Sequence, residues 1–234
     1  MNLLSPVFWG VNNPAFMEGI QQAVDNIHPD GIYAGDNILT FGRNLGFLEN
    51  KDFVDAWKAH AETEVEHAIV WRIYVLAWAA KSVLSRKIPG DFVECPCNQG
   101  TIARIVCDYV DFAHSGRNYY LYDLFEQGKN LLSTVKNRFS QFSNLIIANG
   151  VVPQVLDAVA PGKISFMHVG MGDATAEIGV LERLFDRLSP GGILVLNNYG
   201  WLGYREQMLA EDPWLAERGY EVLELPTGQG LLIK

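Results

Sequence analysis

The order of apolar and polar positions divides the chain into three stretches. Up to about residue 50 no sustained period holds, because Asn, Gly and Pro interrupt it, and only Pro14 to Asn26 reads as a short helix. The segment from Asp30 to Asn37 reads as turns. From Asp52 the pattern becomes helical. Val65, Ile69, Ile73, Leu76, Ala80 and Val83 recur at intervals of three and four, which predicts one apolar stripe on a long helix ended by Pro89-Gly90.

Beyond Pro89 short apolar runs alternate with helical periods. Phe92 to Cys95 reads as a first buried strand, followed by a helix through Ile102, Ile105 and Val106. Tyr119 to Tyr122 is a second strand, with a helix near Gly128 to Gln141 after it. Leu145 to Ile147 is a third and Ile164 to Val169 a fourth. Ile178, Leu181, Phe185 and Leu188 then share one helical face, and Ser189-Pro190-Gly191-Gly192 is expected to break that helix before a fifth strand, Ile193 to Leu196. A helix from Tyr204 to Glu217 leads to two closing strands, Tyr220 to Leu225 and Gly230 to Ile233, joined through Pro226-Thr227-Gly228-Gln229 as a hairpin. Repeated strand–helix units with a terminal hairpin predict an α/β fold: a doubly wound, mostly parallel, seven-stranded sheet with one antiparallel strand. Residues 1 to 88 are expected to be an arm and helices serving as a cover or oligomer contact, and residues 89 to 234 the ligand-binding domain.

Composition narrows the classes. Of 234 residues, 49% are hydrophobic and 19% charged, the profile of a folded protein. Eighteen Lys and Arg against 27 Asp and Glu give a net charge of −9, and no dense basic run occurs, which argues against nucleic acid as a partner. Cys95, Cys97 and Cys107 form neither a CxxC pair nor an even framework, so reduced thiols in a cytoplasmic protein are expected. Met1 to Phe16 lacks the basic start of a signal peptide, and Arg72 and Lys81 interrupt the most apolar helix too soon for a membrane span.

In doubly wound sheets ligands bind beyond the carboxyl ends of the strands, where the strand order reverses. The first strand runs into Glu94-Cys95-Pro96-Cys97-Asn98-Gln99-Gly100, an acid at the strand end with a glycine opening the next helix. Such a turn can approach a ligand closely, although a strand-end acid that merely caps a helix has the same sequence. Asp123 ends the second strand, where a carboxylate can accept both hydroxyls of a ribose. Glu94 and Asp123 at consecutive strand ends together point to a nucleoside-bearing cofactor. Asn149 and Gly150 follow the third strand and join the same candidate set.

The fourth strand ends in His168-Val169-Gly170-Met171-Gly172-Asp173. Its GxG resembles a dinucleotide fingerprint, but Thr175 stands at the third glycine position and Asn197 and Asn198 replace the expected acid, so it reads as a decoy. His168 reads either as a hydrogen-bonded core histidine or as a catalytic base. His60, Glu64 and His67 would share a helical face, and without a second ExxH motif they read as solvated. Trp57, Trp71 and Trp78 read as core.

Taken together, Pro89 to Cys95, Tyr122 to Glu126, and Leu188 to Gly192 followed by Asn197-Asn198-Tyr199 resemble the macrocin O-methyltransferase family, class I methyltransferases that use S-adenosylmethionine (SAM). Asp36-Asn37, Ala68 to Arg72, Gly203-Tyr204-Arg205 and Leu225 to Gly230 resemble one bacterial branch of it, so the likeness covers about residues 36 to 234. The resemblance implies a Rossmann-like methyltransferase sheet and SAM as cofactor. It also implies a cofactor site of Glu94, Cys95, Pro96, Asn98, Gly100, Asp123, Asn149, Gly150 and Gly170. Family members hold a divalent metal with an aspartate after strand four and an Asp-Asp pair after strand five. Gly170, Asn197 and Asn198 stand at those positions here, and Asp173 lies three positions further on. Hard divalent cations need anionic oxygen ligands, so no metal is expected. The expected function is methyl transfer to a sugar or other small-molecule hydroxyl, metal-independent or impaired, with His168 as the base and Tyr199 holding the acceptor. The alternatives are a non-catalytic SAM- or nucleoside-binding scaffold and an NAD(P)-binding oxidoreductase. A cytoplasmic homo-oligomer with no membrane partner is expected.

Overall fold

A computed structural model describes residues 3–27, 31–125 and 131–234. It forms two units, Met1–Val75 and Leu76–Lys234. In the first unit, β1 (Leu3–Leu4), α1 (Asn13–Ile27), β2 (Tyr33–Gly35) and β3 (Ile38–Thr40) precede α2 (Lys51–His60), α3 (Glu64–Ala68) and α4 (Val70–Ser85), within which the division between the units falls. The part of the expected turn segment that is described is a strand and a tight turn. β2 pairs parallel with β1 and antiparallel with β3, and Asp36 and Asn37 connect β2 to β3 with φ of 52° and 58°. Positive φ at both central residues is the geometry of a two-residue hairpin, which Asn and Asp tolerate better than most residues. Asp30 lies outside the described residues.

The long helix is divided as well. Asn50 caps α2 by accepting from Phe53 N–H at 3.2 Å, and Thr63 with Glu66 forms a reciprocal capping box that starts α3 afresh. Val65 is therefore exposed on α3, while Ile73, Leu76, Ala80 and Val83 are buried on α4. Trp57 is buried and Trp71 half-buried, but Trp78 is 43% exposed, so only part of the tryptophan set is core. His60 ends α2 while Glu64 and His67 belong to α3, and the His67 ring packs edge-on against Trp57. Around the Asp36 hairpin turn the unit is locked by polar pairing. Arg72 Nε and Nη2 donate to the two oxygens of the buried Asp36 at 2.5 and 2.8 Å, and Trp9 Nε1 donates at 3.2 Å.

The second unit carries the expected sheet. Its elements are β4 (Asp91–Cys95), α5 (Thr101–Tyr109), β5 (Tyr119–Asp123), α6 (Leu131–Arg138), β6 (Leu145–Asn149), β7 (Ile164–Val169), α7 (Ala174–Leu184), β8 (Leu188–Leu196), α8 (Arg205–Ala216), β9 (Leu223–Glu224) and β10 (Gly230–Ile233). The strand order is β6-β5-β4-β7-β8-β10-β9. The first five strands pair in parallel, and β10 runs antiparallel to β8 and β9. The fold class is thus as the strand–helix alternation predicts. The helix before the fifth strand ends earlier than expected: α7 stops at Leu184, and Leu188 with Ser189 to Gly192 lies within β8. Register jumps from Ile164↔Leu188 to Phe166↔Ile193, and the extra residues are retained because Gly191 N–H donates to Lys234 O and Lys234 N–H to Gly192 O. Gly128, expected to open a helix, lies outside the described residues, and α6 is seen from Leu131.

Both faces of this sheet are apolar. On one, Val93, Tyr122, Met167, Val169, Leu194 and Leu196 pack against Val180, Leu181, Leu184 and Leu215 of α7 and α8. On the other, the rings of Phe92, Phe112, Tyr119 and Phe166 form a contiguous set. From β4 the chain proceeds outward through β5 and β6, and from β7 outward in the opposite direction through β8. The reversal therefore lies between β4 and β7, and the loops after these strands border the crevice where such sheets bind ligands.

Candidate functional site

The turn after β4 is held by the neighbouring strands. Cys97 N–H donates to Tyr122 O at 2.9 Å and Gly100 N–H to Cys97 O at 2.8 Å. Asn98 adopts φ 50° and Gly100 φ 76°, so the chain reverses tightly before α5. A Cβ on Gly100 would lie 2.8 Å from Phe139 Cε2, and that close approach together with the positive φ requires glycine. Among the described residues no side chain caps the first turn of α5. Thr101 Oγ1 at that turn is buried without a hydrogen-bond partner among the described residues.

Asp123 joins this turn to the second strand end. Its Oδ2 accepts from Asn98 N–H at 2.8 Å and its Oδ1 from Phe125 N–H at 3.1 Å. The carboxylate is half-buried, and each oxygen keeps a further lone pair. Beside it in register stands Asn149, exposed at the end of β6, and Gly150 N–H donates to Asp123 O at 3.0 Å. Asn98, Gly100, Asp123, Asn149 and Gly150 thus lie together at one end of the sheet. Pro96 is half-buried in the same turn, while Cys95 is buried in β4 with its thiol pKa pushed up by burial.

Glu94 is placed differently from its neighbours in sequence. Glu94, Leu121, His168 and Val195 are register neighbours across four strands, on the face that carries Tyr119. The Glu94 carboxylate is 2% exposed, accepts from the Tyr119 hydroxyl at 2.8 Å and lies 3.5 Å from His168 Nδ1. Burial, reinforced by Glu94, keeps the Tyr119 phenol protonated. His168 is 4% exposed, and neither ring nitrogen has a hydrogen-bond partner among the described residues. The site's end of the sheet is thus underlain by a buried Tyr–Glu–His row.

At the end of β7, Gly170 N–H donates to Cys95 O at 2.8 Å and Asn197 N–H to Val169 O at 2.7 Å. A Cβ on Gly170 would sit 2.7 Å from Asn197 Cβ. Asp173 is occupied as the N-cap of α7, accepting from Ala176 N–H at 2.8 Å. Asn197 Nδ2 lies 3.4 Å from Asn198 Oδ1. Among the described residues no group of three or more His, Cys, Asp or Glu side chains is arranged to hold a metal ion. Tyr199 is buried, and its hydroxyl donates to Asp212 Oδ1 at 2.5 Å; burial and Asp212 both hold the phenol well above its ordinary pKa. Sequence reasoning missed one polar group here, the buried pair of Glu177 on α7 and Glu211 on α8. The signal was present: Glu177 shares the helical face of Leu181 and Leu184, and Glu211 that of Leu215.

No protein-family model matches the chain, and no curated protein matches it. Solved structures do. The O-methyltransferase NovP superposes with a TM-score of 0.62 at 16% identity, over 75% of this chain and 83% of that one. CalS11, a TDP-rhamnose 3′-O-methyltransferase, superposes with a TM-score of 0.60 at 14% identity, over 94% of each chain. The SAH-bound Podospora anserina methyltransferase PaMTH1 superposes with a TM-score of 0.57 at 12% identity, over 97% of this chain and 98% of that one. At these identities the likeness shows the fold: a Rossmann-like sheet of the methyltransferase type. Among the described residues no helix is long and apolar enough to cross a membrane.

Proposed function

We propose that the protein binds SAM at the carboxyl end of β4 and β5 and transfers its methyl group to a small-molecule hydroxyl, in a metal-independent or impaired branch resembling the macrocin O-methyltransferases. The observation that carries this reading is Asp123, half-exposed at the second strand end and tied to the Asn98 backbone of the adjoining turn. The residues fit the cofactor. Asp123 has acceptor capacity left for ribose hydroxyls, and the uncapped first turn of α5 suits a carboxylate. Asn98, Gly100, Asn149 and Gly150 supply the surrounding backbone, with Pro96 and Gly170 at the edges. Glu94 is buried near the end of β4, where its carboxylate accepts from the Tyr119 hydroxyl. When bound, SAM supplies an electrophilic methyl group on a sulfonium.

This chain's own residues orient the acceptor and accept its proton. His168, two residues ahead of Gly170, is the base candidate: Glu94 lies 3.5 Å from its Nδ1, and among the described residues its Nε2 has no hydrogen-bond partner. The Tyr199 hydroxyl is committed to Asp212, so we assign it to packing. A sugar hydroxyl is the acceptor class proposed, supported by the shared fold with a TDP-rhamnose methyltransferase. A methyl-transfer screen over nucleotide sugars, run with and without Mg²⁺ and read by mass, tests the reading, and His168→Ala should abolish any product found. A second reading, a SAM-binding scaffold without catalysis, is favoured by Gly170, Asn197 and Asn198 at positions where family members carry carboxylates. It predicts cofactor binding with no methylated product. The dinucleotide alternative has less support, because Met171 N–H in the Gly170–Gly172 turn is already taken by Glu177.

A further inference from the structure

The turn Gly170–Asp173, which borders the crevice after β7, is held by a buried acid that no part of the proposed chemistry uses. Glu177 Oε1 accepts from Met171 N–H at 2.7 Å and from Gln207 Nε2 at 2.6 Å. Glu177 is 2% exposed. One helical turn after Gln207, Glu211 lies within hydrogen-bond reach of Glu177 and is fully buried, and neither of its oxygens meets a donor among the described residues. Two ionised carboxylates in this setting would repel each other without compensation. A proton on Glu211 removes the repulsion and supplies the donor that Glu177 can still accept.

We infer that Glu177 is a positioning residue for the site, the charged half of a carboxyl–carboxylate pair in which protonated Glu211 completes its hydrogen bonds while it clamps the Met171 backbone. Burial, followed by the influence of Glu177 and Asp212, pushes the Glu211 pKa up to about 10. The charged or polar groups facing it are Glu177 from α7 and Gln207 and Asp212 from α8, and the Tyr199 hydroxyl is already bonded to Asp212. Two consequences follow. Glu211→Gln should leave the clamp intact, because an amide can donate to Glu177 as the carboxyl does. Glu177→Gln should weaken it, because Met171 N–H and Gln207 Nε2 share the one oxygen Oε1, and a neutral amide oxygen there is a weaker acceptor than a carboxylate oxygen.

Amide hydrogen exchange at Met171 reads the clamp directly, with Asn197 N–H as an internal control in the neighbouring ladder. Replacing the charged acceptor by a neutral one should accelerate Met171 exchange about tenfold in Glu177→Gln, leave the control unchanged, and leave Met171 protected in Glu211→Gln. Equal protection in Glu177→Gln, or equal acceleration in both variants, overturns the inference. Should Glu177→Gln fail to fold, the wild type and Glu211→Gln carry the test. Glu211 has its folded pKa above its unfolded value, so the stability its proton confers is complete below about pH 4.5 and is lost as pH rises toward about 10. That slope should flatten in Glu211→Gln, and identical slopes overturn the inference. The ligand arm rests on the SAM reading: affinity for S-adenosylhomocysteine (SAH) should fall in Glu177→Gln and hold in Glu211→Gln. Absence of binding by the wild type would count against that reading alone, because the exchange and pH measurements need no ligand.

Discussion

Replacing Gly170 by alanine tests whether the crevice has room for a side chain directly after β7. The added Cβ would lie 2.7 Å from Asn197 Cβ and 3.4 Å from Asn197 Cγ. Carbon atoms in contact settle at about 3.5–4.0 Å, so the pair is short by roughly 1 Å. Neither backbone can retreat without loss, since Gly170 N–H bonds to Cys95 O and Asn197 N–H to Val169 O. Overpacking of this kind costs about 1–3 kcal/mol. At about 2–4 °C per kcal/mol for a chain of this size, the melting point should fall by about 2–12 °C. Calorimetry on Gly170→Ala, Asn197→Gly and the double variant supplies the check, because removing the Asn197 Cβ should recover most of the loss. A Gly170→Ala protein within about 0.5 kcal/mol of the wild type would refute the steric argument. The consequence reaches the chemistry: an aspartate placed at position 170 meets the same clash unless the residue at 197 changes with it.

Three further outcomes are expected. Asp36→Ala should destabilise the N-terminal unit by about 3–5 kcal/mol in denaturant titration, because it removes the buried carboxylate that accepts from Arg72 Nε and Nη2; a loss below about 1 kcal/mol would show the pair to be dispensable. Asp173→Ala should cost about 1 kcal/mol through the lost cap of α7, and millimolar Mg²⁺ should shift the melting of neither the wild type nor this variant. A Mg²⁺-dependent rise that vanishes in Asp173→Ala would place a cation there. The chain should be an oligomer through its N-terminal unit, where Leu39 and Phe41 stand exposed beside an apolar groove lined by Phe16, Ile20 and Val24. Light scattering should show Phe41→Lys to be smaller, and a monomeric wild type would end that proposal.

The sheet of the second unit was legible because its information is local: short apolar runs between glycine and proline stops are what a buried parallel strand requires. The exception, Ser189 to Gly192, stays in β8 because of Lys234, which no local reading could bring alongside. The first unit was less legible for the same reason. Its strands are two or three residues long, and Asp36 tolerates burial only because Arg72 reaches it from 36 residues away. At the site, the positions of Asp123 and the Gly100 turn followed from the strand ends. Where the side chains point did not. Glu94 and Tyr199 lie at strand ends, but Tyr119 and Asp212, their partners, decide that both turn inward. Glu177 and Glu211 read as ordinary helix acids until both are seen on apolar faces.

The central claim, a SAM site closed by Asp123, is tested most directly by calorimetric titration of SAH into the wild type and Asp123→Ala. Hydrogen bonds to a charged acceptor contribute about 1.5–3 kcal/mol, so the account predicts saturable one-site binding weakened about tenfold or more by the substitution. Unchanged affinity in Asp123→Ala, or no heat of binding from the wild type at micromolar ligand, would contradict it.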